Sequence, residues 1–276
     1  NIYIMRKVVL SISAMLFGLA MCAQANLSLV NQTGLSNSSD VDQFGLLNYS
    51  SVDQNGRFNV AEVDQVGALN GSDVIQDGRR NDAKVDQFGI ANYSNVNQDG
   101  RRNEADVMQV GIGNDSDIDQ VGRRNSSSVD QLGLFNEANV AQTGLRNDAT
   151  VLQIGDDNVA DQIQYGNDNS ADVIQFGERN YSYQGQDGNG NSALTLQLGE
   201  DNTSVQWQIG DDNSAIHMQD GDGNYAFSNQ VGQDNFSLIM QDGTTNSAIT
   251  NQTGQMHMSF VNQSGTSNNS LVNQSN

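Results

Sequence analysis

The chain has 276 residues, with 33 acidic side chains against 12 basic ones, a single cysteine and no proline. A net charge of −21 excludes the basic footprint that nucleic acid or an anionic membrane surface requires, and one cysteine excludes a fold stapled by disulfides. At 36% hydrophobic residues the composition alone would suit a disordered chain, so any order has to come from pattern.

The first element in chain order is a leader. Met5-Arg6-Lys7 gives a positive start, Val8 to Met21 an apolar run, and Ala23-Gln24-Ala25 a small-x-small cleavage pattern. Residues 1–25 are therefore expected to be a secretory signal peptide with its start at Met5. Its removal takes the only cysteine with it and leaves the acidic excess larger.

From Leu27 to the end a unit of eleven residues repeats, written (Ala/Ser)-x-Val-x-Gln-x-Gly-x-x-Asn-x. Glutamine keeps this register without a miss: Gln32, Gln43, Gln54, Gln65, Gln76, Gln87, Gln98, Gln109, Gln120, Gln131, Gln142, Gln153, and on to Gln274. Glycine follows two residues later, and asparagine five later, at Asn48, Asn59, Asn70, Asn81, Asn92, Asn103 and onward, with His257 the one exception. Ala/Ser, Val, Gln and Gly lie two apart, so in an extended chain they share a face, while Gly-x-x-Asn supplies a turn whose Gly and Asn tolerate positive φ. A helix is a poor alternative for β-branched residues at alternating spacing.

A finer period of 22 residues shows that two units make one coil. The expected architecture is all-β: residues 26–276 form a β-solenoid of about 11 coils with two facing parallel sheets. Identical Gln and Asn amides stacked one coil apart form a core ladder, bonding along the axis and satisfying groups that are costly to bury. Valine fills the remaining inward position from Val41 to Val151, with Ile118 once. From Gln162 that position turns polar at Gln184, Thr195, Gln206, His217 and Ser228, so those coils are expected to pack less well.

Outward positions carry columns too. Arg79/Arg80, Arg101/Arg102 and Arg123/Arg124 recur along one edge, continued by Arg57 and Arg146, and are candidate gatekeepers against premature assembly. Asp42, Asp64 and Asp86 stack like charges, which disfavours assembly unless they are screened or protonated. An apolar stripe runs from Phe44 and Val66 to Leu198. His217 and His257 find no nucleophile or acid at a catalytic spacing, and Asp220-Gly-Asp-Gly-Asn224 lacks the later ligands of a calcium loop. No enzyme activity, cofactor or metal is expected.

A solenoid has two open edges, each a template for another chain. The first strand carries Leu29, Val30 and Gln32, and the last carries Leu271, Val272 and Gln274. These near-identical ends are candidate polymerisation edges for a head-to-tail contact that does not close.

The pattern Gln-x-Gly-x-x-Asn-x-(Ala/Ser)-x-x-x-Gln resembles the curlin repeat, the unit of the subunits of curli, the functional amyloid of bacterial biofilms. The resemblance covers nearly the whole chain after the leader; the second Gly often found before Asn stands only at Gly113, Gly190 and Gly223. It implies a secreted homopolymer, built as a cell-surface or extracellular fibre of a Gram-negative bacterium. The partners it implies are a nucleator and a curli-type outer-membrane secretion pore, without membrane insertion of the subunit itself. The alternative is a monomeric solenoid whose flat face binds ice, a polysaccharide or another surface.

Overall fold

An extended backbone turns successive side chains to opposite faces, and the unit exploits this throughout. In the stretch 60–68, Ala61, Val63, Gln65 and Gly67 point inward and are buried, while Val60, Glu62, Asp64 and Val66 point outward. A computed structural model describes residues 25–276; the predicted signal sequence lies outside the described residues, Ala25 apart.

Twenty-three strands follow one another, from β1 (Leu27–Leu35) and β2 (Ser38–Leu46) to β22 (Met258–Thr266) and β23 (Asn269–Ser275). Odd-numbered strands form a first sheet of 12 strands and even-numbered strands a second sheet of 11. Both are parallel, and each residue pairs with the one 22 positions on, as in Val30 with Val52 and Val63 with Val85. The chain is a β-solenoid of about eleven coils, roughly 50 Å long at ~4.8 Å per coil.

The turns differ in one respect from the expectation. The glycine after each Gln does take positive φ, between 109° and 142° in the repeating position. A Cβ on Gly67 would overlap the carbonyl oxygen of Gly89 in the next coil, so coil spacing itself demands glycine here. The second positive-φ residue, however, is the one before Asn and not Asn itself: Leu69 (φ 60°), Arg80 (φ 57°) and Phe135 (φ 55°) all sit in the left-handed well. Asn is drawn inward because its amide has work there. Asn70 accepts the backbone N–H of Asn92 at 3.1 Å and donates to the carbonyl of Gly89 at 3.1 Å.

The interior falls into stretches of different chemistry. Val52, Val63, Val74, Val85 and their successors to Val173 form one apolar cluster, and Ala226, Ile239, Ala248 and Val261 another. Between them stand Gln184, Thr195, Gln206, His217 and Ser228, each fully buried. The expected loosening is thus not seen as exposure. The side chains there close the gap by hydrogen bonding instead, from Thr195 Oγ1 to Ser204 Oγ (2.9 Å), Ser204 to His217 Nδ1 (2.8 Å), His217 Nε2 to Ser228 (2.7 Å) and Ser228 to Ser237 (2.8 Å).

Candidate functional site

The repeat concentrates its chemistry in a glutamine amide ladder, with one run along each sheet. In the first sheet Nε2 of Gln32 donates to Oε1 of Gln54, and the chain continues through Gln76, Gln98, Gln120 and Gln142. In the second sheet Gln43, Gln65, Gln87, Gln109, Gln131 and Gln153 do the same, all these bonds measuring 2.7–3.0 Å. The other hydrogen of each amide crosses to the opposite sheet: Gln65 donates to the carbonyl of Tyr49 at 2.9 Å, and Gln98 to that of Asp82 at 2.8 Å. Both donors of a buried primary amide are thereby used, which makes its burial tolerable. The ladder also has a direction, because every side-chain donor points toward the later coil.

Asparagine runs a second ladder in the opposite sense. Asn48, Asn59, Asn70, Asn81, Asn92 and Asn103 are buried at the corners, each accepting the backbone N–H of the Asn one coil later through Oδ1. His257 breaks only the side-chain part of this ladder; its backbone N–H still donates to Asn235 at 3.1 Å.

At the ends of the described residues both ladders stop open. Val30 occupies the inward position that is 1% exposed at Val52, yet Val30 itself is 51% exposed. Leu29 and Leu271 are also exposed, and Val272 is only half-buried. Gln32 and Gln43 offer carbonyl oxygens that receive no earlier glutamine among the described residues. Gln263 and Gln274 donate to the carbonyls of Ser247 and Met258, and no later glutamine among the described residues receives their second N–H. In the glutamine ladder the first face presents acceptors and the last face donors, and the asparagine ladder has the reverse polarity.

The arginines stack as expected. Arg57, Arg79, Arg101 and Arg123 end four strands of the first sheet and pair in register, while Arg80, Arg102 and Arg124 occupy the left-handed turn position beside them. Among the described residues none of the seven has an acidic partner. Crowding, by Arg102 above all, then partial burial and Arg79 and Arg123, holds the Arg101 guanidinium below its ordinary value. Arg79 and Arg80 lie over the Phe58 ring, at 6.0 and 5.7 Å from its centroid. Asp64 stacks between Asp42 and Asp86, and burial, reinforced by those two charges, raises its pKa; Lys84 neutralises Asp86 at 2.7 Å.

Two features escaped the sequence reading. The hydroxyl–imidazole chain through His217 is one, and its signal was a run of polar residues at the valine position. The other is a parallel stack of Tyr183 on Trp207, with ring centroids 5.7 Å apart, on the outer face of the first sheet. Its signal was Gly185, whose missing side chain leaves room for the Trp207 ring.

Compared with known families, the chain matches the Curlin associated repeat over residues 59–89, 91–122, 100–133, 113–144, 136–166, 144–177 and 166–199, about half its length. No curated protein matches it.

Proposed function

Because the chain belongs to the curlin repeat family, we propose that it is a secreted structural subunit that assembles into extracellular curli-type fibres of a biofilm matrix. Family and fold both point to a structural role and not a catalytic one. The observation that carries the reading is the cut core at the ends of the described coils: Val30 lies half in solvent where its equivalents in the inner coils are sealed, and the glutamine ladder leaves acceptors at the first coil and donors at the last. Stacking the first coil of one copy on the last coil of another covers Val30, continues both ladders and leaves the same open faces at the new ends. Such a heterologous contact propagates as a filament. Export through an outer-membrane pore and initiation by a nucleator belong to this proposal as its partners.

The test dilutes the chain from Asn26 onward out of denaturant and follows thioflavin fluorescence, fibre imaging and X-ray diffraction. Seeded fibres with a ~4.7 Å meridional repeat are expected. Val30→Asp together with Val272→Asp should abolish elongation while the β-rich fold persists. A monomer that ignores seeds, or end variants that elongate like the parent, overturns the proposal.

A second reading, a surface-binding module, draws support from the Tyr183–Trp207 stack on a flat sheet face. Co-sedimentation with insoluble polysaccharide that is lost in Trp207→Ala would favour it.

A further inference from the structure

The corner that follows the strands of the first sheet is a single hydrogen-bonded rail. The N–H of Arg80 donates to the carbonyl of Arg57, that of Arg102 to Arg79, Arg124 to Arg101, Arg146 to Arg123, Asp168 to Leu145, Asp212 to Asn189 and Asp234 to Asp211. Side chains along this rail change sign midway. Arg57, Arg79/Arg80, Arg101/Arg102 and Arg123/Arg124 make the first part basic. Asp168, Asp211/Asp212 and Asp234 make the second part acidic. The crossover is Arg146, the one arginine of this column that is paired among the described residues, to Asp168 through two short bonds.

Within one copy Arg146 and Asp168 alone bridge the two parts, since the other arginines stand at least two coils from the nearest of these aspartates in the in-register stack. Seven guanidinium groups one coil apart without acidic partners repel one another, as the lowered pKa of Arg101 reflects. The opposite corner does not offer the same match. Its first part is apolar, with Leu46/Leu47, Leu69 and Leu134/Phe135, and its acidic second part already holds Arg179 in ion pairs with Glu178, Glu200 and Asp201.

We propose that this corner is a lateral docking surface for a second copy of the chain, paired antiparallel about a twofold axis at the level of Arg146. The axis sets the register. Arg79 and Arg80 face the partner copy's Asp211 and Asp212, Arg57 faces Asp234, and Arg123 and Arg124 face Asp168, which each copy shares with its own Arg146. Each of these contacts occurs twice, as in any isologous interface, while on the axis the two Arg146 side chains, each held by its Asp168, come together. Arg101 and Arg102 then meet the neutral Asn189 and Gly190. The contact is a narrow charged stripe with little apolar area, so it is weak for a single pair and sensitive to salt. In a filament it repeats along the length and gains by multivalency, bundling fibres side by side. It is independent of end-to-end stacking, which uses other surfaces.

The test uses two charge-reversed chains, Arg79→Glu/Arg80→Glu and Asp211→Lys/Asp212→Lys. Each alone should lose lateral pairing by about tenfold or more, read as filament width by electron microscopy or, where no filaments form, as dimer by sedimentation. Mixing the two should restore pairing, because the acidic corner of one then meets the basic corner of the other at both sites. Raising salt from about 0.1 M to about 1 M should separate the parent pairs, as the screening length falls from ~10 to ~3 Å. Filament length is scored separately, so loss of axial growth is not mistaken for loss of pairing. Absence of rescue in the mixture overturns the proposal. So does unchanged width in both variants, or an arginine variant that loses only binding to an added polyanion such as polyphosphate.

Discussion

The coils around Val63 to Val151 and those around Thr195 to Ser237 have the same backbone, register and amide ladders, yet they seal their interiors by different means. In the earlier coils the inward valines form the apolar cluster, and the hydroxyls of Ser50, Ser72, Ser94 and Ser116 beside them are buried without a partner. In the later coils the same inward serine position, at Ser204 and Ser237, is tied into the chain through Thr195, His217 and Ser228. The ladder sets the fold, and the fill between the sheets can be apolar, with a few small hydroxyls left unpartnered, or polar, with its groups tied to one another by hydrogen bonds.

Acid separates the two regions most strongly. Full burial pushes His217 down to about 3, against an ordinary value of 6.5. Below 6.5 the unfolded histidine binds a proton that the folded one refuses, so the stability of its coils falls as pH drops from about 6.5 toward about 3. The loss approaches about 3 kcal/mol by about pH 4. Asp64, Asp82, Asp115, Asp119 and Asp130 go the other way: burial, helped by neighbouring carboxylates, raises each of them. Their folded forms take up protons before the unfolded chain does, so acidification relieves the earlier coils. Hydrogen exchange corrected for intrinsic rates should show protection falling in β17 (Thr203–Asp211) to β19 (Tyr225–Gln233) and rising in β3 (Tyr49–Arg57) to β9 (Asp115–Arg123) as pH drops from 7 to about 4. Parallel changes in both regions would erase the distinction, and His217→Gln should remove the fall.

One substitution placed in both regions sharpens the contrast. Ser204→Ala removes the link between Thr195 and His217 and leaves both buried without it, at an expected cost of about 1–3 kcal/mol. Ser94→Ala removes a hydroxyl that has no partner, and should leave stability unchanged or raise it by up to about 1 kcal/mol. Denaturant midpoints measured side by side decide the sign. Equal costs would mean that the hydroxyl chain contributes nothing beyond its volume.

The sequence made one of these regions far more readable than the other. Strands, sheets and coil number followed from Gln32 to Gln274 keeping step, because a period of two within a period of eleven leaves little freedom in register. The Arg and Asp columns were legible for the same reason: in a parallel in-register stack, residues 22 apart must be neighbours. His217 was read as an isolated histidine, since its partners Ser204 and Ser228 lie on the opposite sheet and across-coil neighbours obey no single spacing. The left-handed turn residue was assigned to Asn because Asn tolerates that well, whereas burial of its amide against Gly and Asn of adjacent coils decided otherwise.

That turn position gives the smallest and most local comparison. The earlier coils place Leu47, Phe58, Leu69 and Phe135 in the left-handed well, while Asp157, Asp168, Asp201, Asp212 and Asp234 hold it in the later ones. An aspartate reaches this conformation more readily than a bulky apolar residue, because its short polar side chain bonds locally. Strain is therefore stored in the turns of the region with the better apolar core, and less of it where the core is polar. Leu69→Gly should stabilise by about 1 kcal/mol, since φ 60° costs glycine nothing in steric terms, and Asp212→Gly by only a few tenths. If both gains are equal in thermal midpoints, the turns are indifferent to what occupies them, and the choice of Leu, Arg or Asp there answers to the surface alone.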